Sequence, residues 1–168
     1  MTKLFTIVFL LMTSFSFAQS DEEYWDQWNK NYPKVDIIEI LKYERNYADS
    51  VEKNQDIPPY YARLDKFRFQ AEYLGKTRPT NEDVLISMRN VFKLFAGNPS
   101  QLDNMCNTEV LFKIGNEEIW LPIQPNILKA IKKETKNRDM LILYCLFFNE
   151  HSTNNKLYNT FLISEFNK

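Results

Sequence analysis

Apolar residues recur every three or four positions through much of the first hundred residues, which is the spacing of an amphipathic helix. This spacing predicts helices over residues 34–50, 60–74 and 81–96. The last has the clearest boundaries, because Thr80 and Asp83 approximate a capping box and Gly97 follows the apolar stripe. The N-terminal part of the chain, about residues 20–97, is therefore expected to contain about three helices.

The segment 60–74 admits a second interpretation. Phe67 and Phe69 alternate as they would in a strand, whereas Arg68 and Glu72 stand four residues apart, as in a helical ion pair. The length of the apolar pattern and this ion pair favour the helix.

Aromatic residues are concentrated just before the first of these helices. Trp25, Trp28 and Tyr32 are spaced by three and then four residues, which places their rings on one helical face. Such a stripe is more typical of a face that docks on the domain than of an exposed ligand platform.

After Ser100 the apolar period changes from 3.6 to 2. Alternating segments on either side of Gly115-Asn116 predict a β-hairpin, in which Pro122 indicates an edge or a bulge. Pro125 suits the first turn of a following helix. The run over 140–148 is apolar on both faces, and it predicts a central strand.

A last strand is predicted over 157–166, so that the β-rich part, about residues 105–167, has the order β-β-α-β-β. The sequence thus predicts an α+β fold with helices packed on an antiparallel sheet or small barrel of SH3-like or OB-like order. The resemblance to these barrels lies only in the order of elements.

The first eighteen residues have the pattern of a secretory signal peptide. Lys3 precedes an apolar run, and Ser16 and Ala18 stand where a cleavage site needs small residues. The alternative is a membrane anchor, but the run is about half of the ~20 residues that a bilayer span needs. We expect cleavage, export to the periplasm or the medium, a single domain over 19–168, and no transmembrane segment after cleavage.

The net charge bears on the class of partner, and the two cysteines bear on a possible disulfide. The chain has 21 basic and 22 acidic residues, and because the signal peptide carries one basic residue the mature charge is 20 minus 22, or −2. This balance does not favour nucleic acid as a partner. Cys106 and Cys145 could form a disulfide after export, or Cys145 could be a buried free thiol in its apolar run.

Familiar catalytic patterns are absent from the sequence. The single histidine, His151, falls in a polar segment and is expected to be a solvated loop residue. The spacing of cysteines and histidine does not suit a metal site, and no cofactor motif is found. Glu117 and Glu118 are poor partners for acid–base chemistry, while Glu150 and Glu165 could meet across the last two strands.

Two features remain as candidate binding residues. Trp120 either packs under a helix or stands exposed as a contact residue, with packing favoured. The helix after Pro125 carries a basic face of three lysines: Lys129, Lys132 and Lys133. A solvated helix face is the more ordinary interpretation of these lysines.

The sequence does not identify an activity, and it favours an exported, non-catalytic binding module over an enzyme. Another envelope protein or an envelope polymer is the expected partner. The alternatives are a carboxylate-dependent envelope hydrolase and a structural accessory protein. The oligomeric state is left open.

Overall fold

The computed structural model describes residues 21–54 and 56–168. The predicted signal peptide lies outside them. Within the described residues the fold is α+β, with four helices and five strands. The helices are α1 (Asp21–Asn31), α2 (Ile37–Lys53), α3 (Glu82–Ala96) and α4 (Pro125–Glu134), and the strands are β1 (Tyr61–Pro79), β2 (Thr108–Ile114), β3 (Glu117–Ile123), β4 (Met140–His151) and β5 (Leu157–Asn167). None of the helices in this part of the chain is long and apolar enough to cross a bilayer.

The five strands close into a barrel in the order β1-β2-β3-β5-β4. Four of the strand pairs are antiparallel, whereas β3 and β5 are parallel and meet only where Ile123 pairs with Ile163. The sheet is therefore mixed and not wholly antiparallel. Pro122 lies beside this sparse seam, and its missing N–H fits a strand with little pairing on that side.

The helix predicted over 60–74 is wrong, because residues 61–74 belong to β1. The strand is 19 residues long, since its first part pairs with β4 and its second part with β2. Phe69, Ala71 and Tyr73 point into the barrel with the period of two that Phe67 and Phe69 had suggested. Arg68 does not pair with Glu72; its guanidinium donates to the carbonyls of Asn29 and Tyr32 at the end of α1.

Gly75 sits at an irregularity of β1 and not at a helix end. The register with β2 shifts between Tyr73 and Thr77, and Gly75 between them has a φ of 72°. Glycine tolerates this left-handed conformation, so the long strand can bend from one neighbour to the next.

Two helices pack against different apolar clusters of the barrel. In α4, which begins at Pro125 as predicted, Ile127 and Ile131 join the barrel core. α3 packs Met88 and Val91 against an outer cluster that contains Phe148 of β4. The predicted helix at α3 is confirmed, but its cap is Asn81, whose side chain accepts a hydrogen bond from the Asp83 N–H at 2.8 Å.

α2 lies along the opening between β3 and β5. One shallow groove beside it is shared by Ile38 and Leu41 of α2 with Ile119 of β3. Further along the same side of α2, a second groove is shared by Ala48 with Leu157 of β5. The seam that the strands leave is thus covered by a helix from the N-terminal part of the chain.

The predicted docking face of α1 is confirmed. Trp25 stacks on Tyr144 of β4 with ring centroids 5.6 Å apart, and Trp28 and Tyr32 meet the same ring edge-on. The Tyr24 hydroxyl also donates to Glu165 at 2.8 Å. The aromatic stripe therefore anchors α1 to the barrel.

Candidate functional site

A groove of about 540 Å³ lies between α2 and the first residues of β1. Its lining residues come from these two elements alone: Ile40, Tyr43, Glu44, Tyr47, Tyr61, Ala62 and Arg63. We call it the tyrosine groove. It joins exposed aromatic rings to a buried charge, which is a combination typical of ligand sites.

Two tyrosine rings form the outer wall of the tyrosine groove. Tyr43 and Tyr47 stand four residues apart on α2, and their planes are 7° from parallel with centroids 6.4 Å apart. They are 59% and 39% exposed. Tyr61 of β1 meets Tyr47 edge-on at 4.8 Å. The wall therefore presents rigid aromatic surface at little cost in side-chain entropy.

Glu44 forms the base of the tyrosine groove and is only 1% exposed. One carboxylate oxygen bonds to Arg63, whose other nitrogen bonds to Asp65 at 2.8 Å. The second oxygen, Oε2, is buried without a hydrogen-bond partner. Burial raises the pKa of Glu44, Arg63 opposes this rise and Asp65 adds to it.

The Tyr61 hydroxyl is also buried without a hydrogen-bond partner. Burial is the main reason that the pKa of Tyr61 rises to about 12, and the charge of Glu44 adds to it. A neutral hydroxyl can both donate and accept. The groove thus contains one unpartnered acceptor at Glu44 and one unpartnered donor and acceptor at Tyr61.

His151 supports the tyrosine groove from behind, and the expectation that it is a solvated loop residue is wrong. β4 continues three residues past the predicted strand end, and His151 at its last position is fully buried. Its ring stacks on Tyr61 at 2° and 5.2 Å. Its nitrogens lie 2.5 Å from the Pro59 carbonyl and 3.2 Å from Glu52. His151 therefore fixes the Tyr61 ring.

The structure does not bring Glu150 and Glu165 together. Glu150 pairs with Tyr158 near one end of the β4–β5 ladder, and Glu165 pairs with Tyr144 near the other. Glu150 is buried and accepts hydrogen bonds from Tyr60 and Asn90.

Glu117 and Glu118 are exposed at the start of β3, beside the hairpin turn.

Trp120 is half-buried on the outside of the barrel. The guanidinium carbon of Arg78 in β1 lies 4.3 Å from its ring centroid, and the same side chain donates to buried Glu109 at 2.6 Å. A strand side chain thus covers Trp120 where a helix was expected. The ring remains a contact candidate through the part that solvent reaches.

The other predicted residues lie apart from the tyrosine groove. Lys129, Lys132 and Lys133 are exposed on α4, with the last two in its final turn, where cations stabilise the helix dipole. Cys106 and Cys145 are free and buried in different apolar clusters. Burial raises the pKa of both thiols.

The sequence contains one signal for this groove, an acid on the apolar face of α2. The inward-facing stripe of α2 consists of buried Ile37, half-buried Leu41, and buried Glu44, Ala48 and Val51, so that an acid occupies one position of a regular apolar series. An ionisable residue on an apolar helix face indicates a buried partner. For Glu44 that partner lies in β1, a strand that was predicted as a helix.

Comparisons with known proteins do not assign the chain. No protein-family model, no curated protein and no solved structure matches it. Among the residues 21–54 and 56–168 there is also no group of three or more histidine, cysteine or acidic side chains placed to hold a metal ion.

Proposed function

We propose that this chain is an exported, non-catalytic binding module of the cell envelope, and that its ligand binds in the tyrosine groove. One observation carries the proposal. A buried carboxylate oxygen without a partner lies at the base of a groove whose wall is made of exposed tyrosine rings.

Burying a polar atom without a hydrogen bond costs about 1–3 kcal/mol. Two such atoms in one groove, on Glu44 and Tyr61, favour a site that a ligand completes. The exposed rings of Tyr43 and Tyr47 favour the same role, because tyrosine is enriched among the residues that dominate binding.

Binding is favoured over hydrolysis by the arrangement of the acids. A carboxylate-dependent hydrolase would use Glu44 and Asp65, the two acids nearest the groove. Arg63 bonds to both of them. This arrangement suits charge-assisted recognition better than proton exchange with a substrate.

We further propose that the barrel is of OB type and not SH3-like. Support comes from the five-strand order β1-β2-β3-β5-β4, the helix between β3 and β4, and a first strand long enough to pair with two neighbours. In OB folds the face of strands 2 and 3 binds oligonucleotides and oligosaccharides. Trp120 with Arg78 lies on that face, so an envelope saccharide is the second candidate ligand.

Site-specific photo-crosslinking tests the binding proposal. With benzoylphenylalanine in place of Tyr43, irradiation in the envelope of the producing cell is expected to give one discrete adduct. Because Tyr47 forms the same wall, Tyr47→Ala is expected to reduce adduct formation by about thirtyfold, the effect of an interface hot spot of about 2 kcal/mol.

The matched control places the photoreactive group at Leu94, an exposed position of α3 outside the groove. Adducts that form equally from both positions would contradict the proposed site. Adducts from a probe at Trp120 alone would favour the saccharide-binding or partner-binding role of the β2–β3 face.

A further inference from the structure

The first half of β1 has one edge that pairs with β4 and one that faces away from it. At Arg68 the backbone N–H donates to the Pro33 carbonyl and the carbonyl accepts from the Val35 N–H, each at 3.0 Å. At Tyr73, by contrast, the N–H donates to the Asp139 carbonyl at 2.9 Å, on the side of β4. Even-numbered residues of β1 therefore direct their backbone groups away from β4.

Ala62, Leu64 and Lys66 share the direction of Arg68. β2 does not reach them, because its last pairing with β1 joins Glu72 to Lys113. In the described part of the chain no backbone hydrogen bond is made to these three residues on that side. The edge of β1 from Ala62 to Lys66 is thus unpaired.

The protein already adds a short extended segment to this edge. Residues 33–35 run parallel to β1 and form a bridge between Lys34 and Arg68. The edge is therefore competent to accept an extended chain, and the unpaired groups continue from that bridge towards Ala62, which lines the tyrosine groove. α2 forms the opposite wall.

We propose that an extended segment of a partner protein adds to β1 along Ala62–Lys66 and places a lysine side chain against Glu44 and Tyr61 in the tyrosine groove. The inference rests on the proposed function and specifies its ligand. A strand added to a sheet edge gains main-chain hydrogen bonds, and adjacent pockets supply side-chain specificity.

The preference for lysine follows from the charge and the rings of the groove. The two carboxylates of Glu44 and Asp65 face the single positive charge of Arg63, which leaves one negative charge in excess. The unpartnered oxygen of Glu44 also requires a hydrogen-bond donor. An ammonium group provides three donors. The rings of Tyr43, Tyr47 and Tyr61 also attract a cation.

Peptide titration monitored by amide hydrogen exchange tests the inference. The probe is a peptide of about six residues, alternating valine and threonine with one central lysine, at a concentration of about 5 mM. Binding is expected to slow exchange of the Leu64 and Lys66 amides by at least about tenfold. A glutamine in place of the lysine is expected to weaken binding about tenfold, because the charged hydrogen bond is lost.

Two variants separate main-chain recognition from side-chain recognition. Lys66→Pro removes an N–H that faces the free edge and leaves the β4 ladder intact, so the protein is expected to fold and to bind the peptide at least about tenfold more weakly. Two further peptides have N-methyl groups on alternate amides, one on the odd-numbered and one on the even-numbered positions. Only the peptide whose methylated amides face β1 is expected to lose binding, because those amides would donate to the strand edge.

The outcomes distinguish the inference from the proposed function. Unchanged exchange at Leu64 and Lys66 overturns strand addition, whether or not the peptide shifts the Tyr43 and Tyr47 ring signals. The proposed binding role is overturned separately, by the absence of a groove-specific photo-adduct. Equal affinity of the lysine and glutamine peptides overturns the preference for lysine.

Discussion

Phe69→Ala is expected to lower the free energy of unfolding by about 3–5 kcal/mol, the usual cost of removing a buried phenylalanine ring. Phe69 is 3% exposed inside the barrel and meets Phe161 edge-on at 5.5 Å. The loss follows from β1 being a strand, which turns Phe69, Ala71 and Tyr73 towards the core. Urea unfolding followed by circular dichroism measures it.

The effect of Phe69→Ala also distinguishes a strand at this segment from the helix that was predicted there. In a helix whose core face contained Phe67, Phe69 would point about 200° away and into solvent, so that its loss would be nearly neutral. Phe95→Ala is the matched control, because Phe95 is exposed on α3 and its removal is expected to change stability by about 0.5 kcal/mol or less. Equal midpoints for the two variants would contradict the barrel position of β1.

Arg63→Ala is expected to lower the free energy of unfolding by about 2 kcal/mol near neutral pH. It leaves the buried carboxylate of Glu44 without its cation, a loss that typically costs about 3–5 kcal/mol for a fully buried pair. The smaller figure reflects the exposure of Arg63, whose side chain is 40% accessible, so that solvent screens the pair. Denaturant unfolding at several pH values measures the difference.

The pH dependence has a definite sign. Burial raises the pKa of Glu44, so the folded chain holds the proton more tightly than the unfolded chain does. The stability that protonated Glu44 contributes is present below the ordinary pKa of a glutamate. It is lost as the pH rises through the pKa that Glu44 has in the folded chain. Arg63 limits the rise in the pKa of Glu44, so in Arg63→Ala that pKa is higher and stability continues to fall to higher pH. At about pH 4, where Glu44 is largely protonated, the free energy of unfolding of the variant approaches that of the parent protein.

Glu44→Gln provides the control for the ion pair. In the glutamine background no buried charge remains to be compensated, so Arg63→Ala is expected to cost less than about 1 kcal/mol and to lose its pH dependence. A cost that is the same in both backgrounds and at every pH would show that Arg63 acts through packing alone.

The period of the apolar pattern predicted most elements but not β1. α3, the β2–β3 hairpin, α4 and the two last strands follow local patterns that the sequence displays directly. β1 has both an apolar spacing of three and four and an alternation at Phe67 and Phe69. The length of its apolar pattern favoured a helix, yet β1 at 19 residues is about three times as long as an ordinary strand, because it pairs with two neighbours in the barrel.

The site was less accessible to sequence analysis than the fold. Glu44 lies on the apolar stripe of α2, but its significance depends on Arg63 and Tyr61, which only the pairing of β1 brings there. His151 looked like a loop residue because polar neighbours surround it. In the structure it is the last buried position of β4, and tertiary contacts with Tyr61 and Glu52 override the local pattern.

Amide hydrogen exchange along β1 in the free protein shows whether this strand has one paired and one open edge. If β1 pairs with β4 on one edge and leaves the other open beside the tyrosine groove, the Arg63, Asp65 and Phe67 amides are expected to be protected, whereas Leu64 and Lys66 exchange rapidly. Uninterrupted protection from Arg63 to Phe67, as in a helix or a strand paired on both edges, would contradict the account.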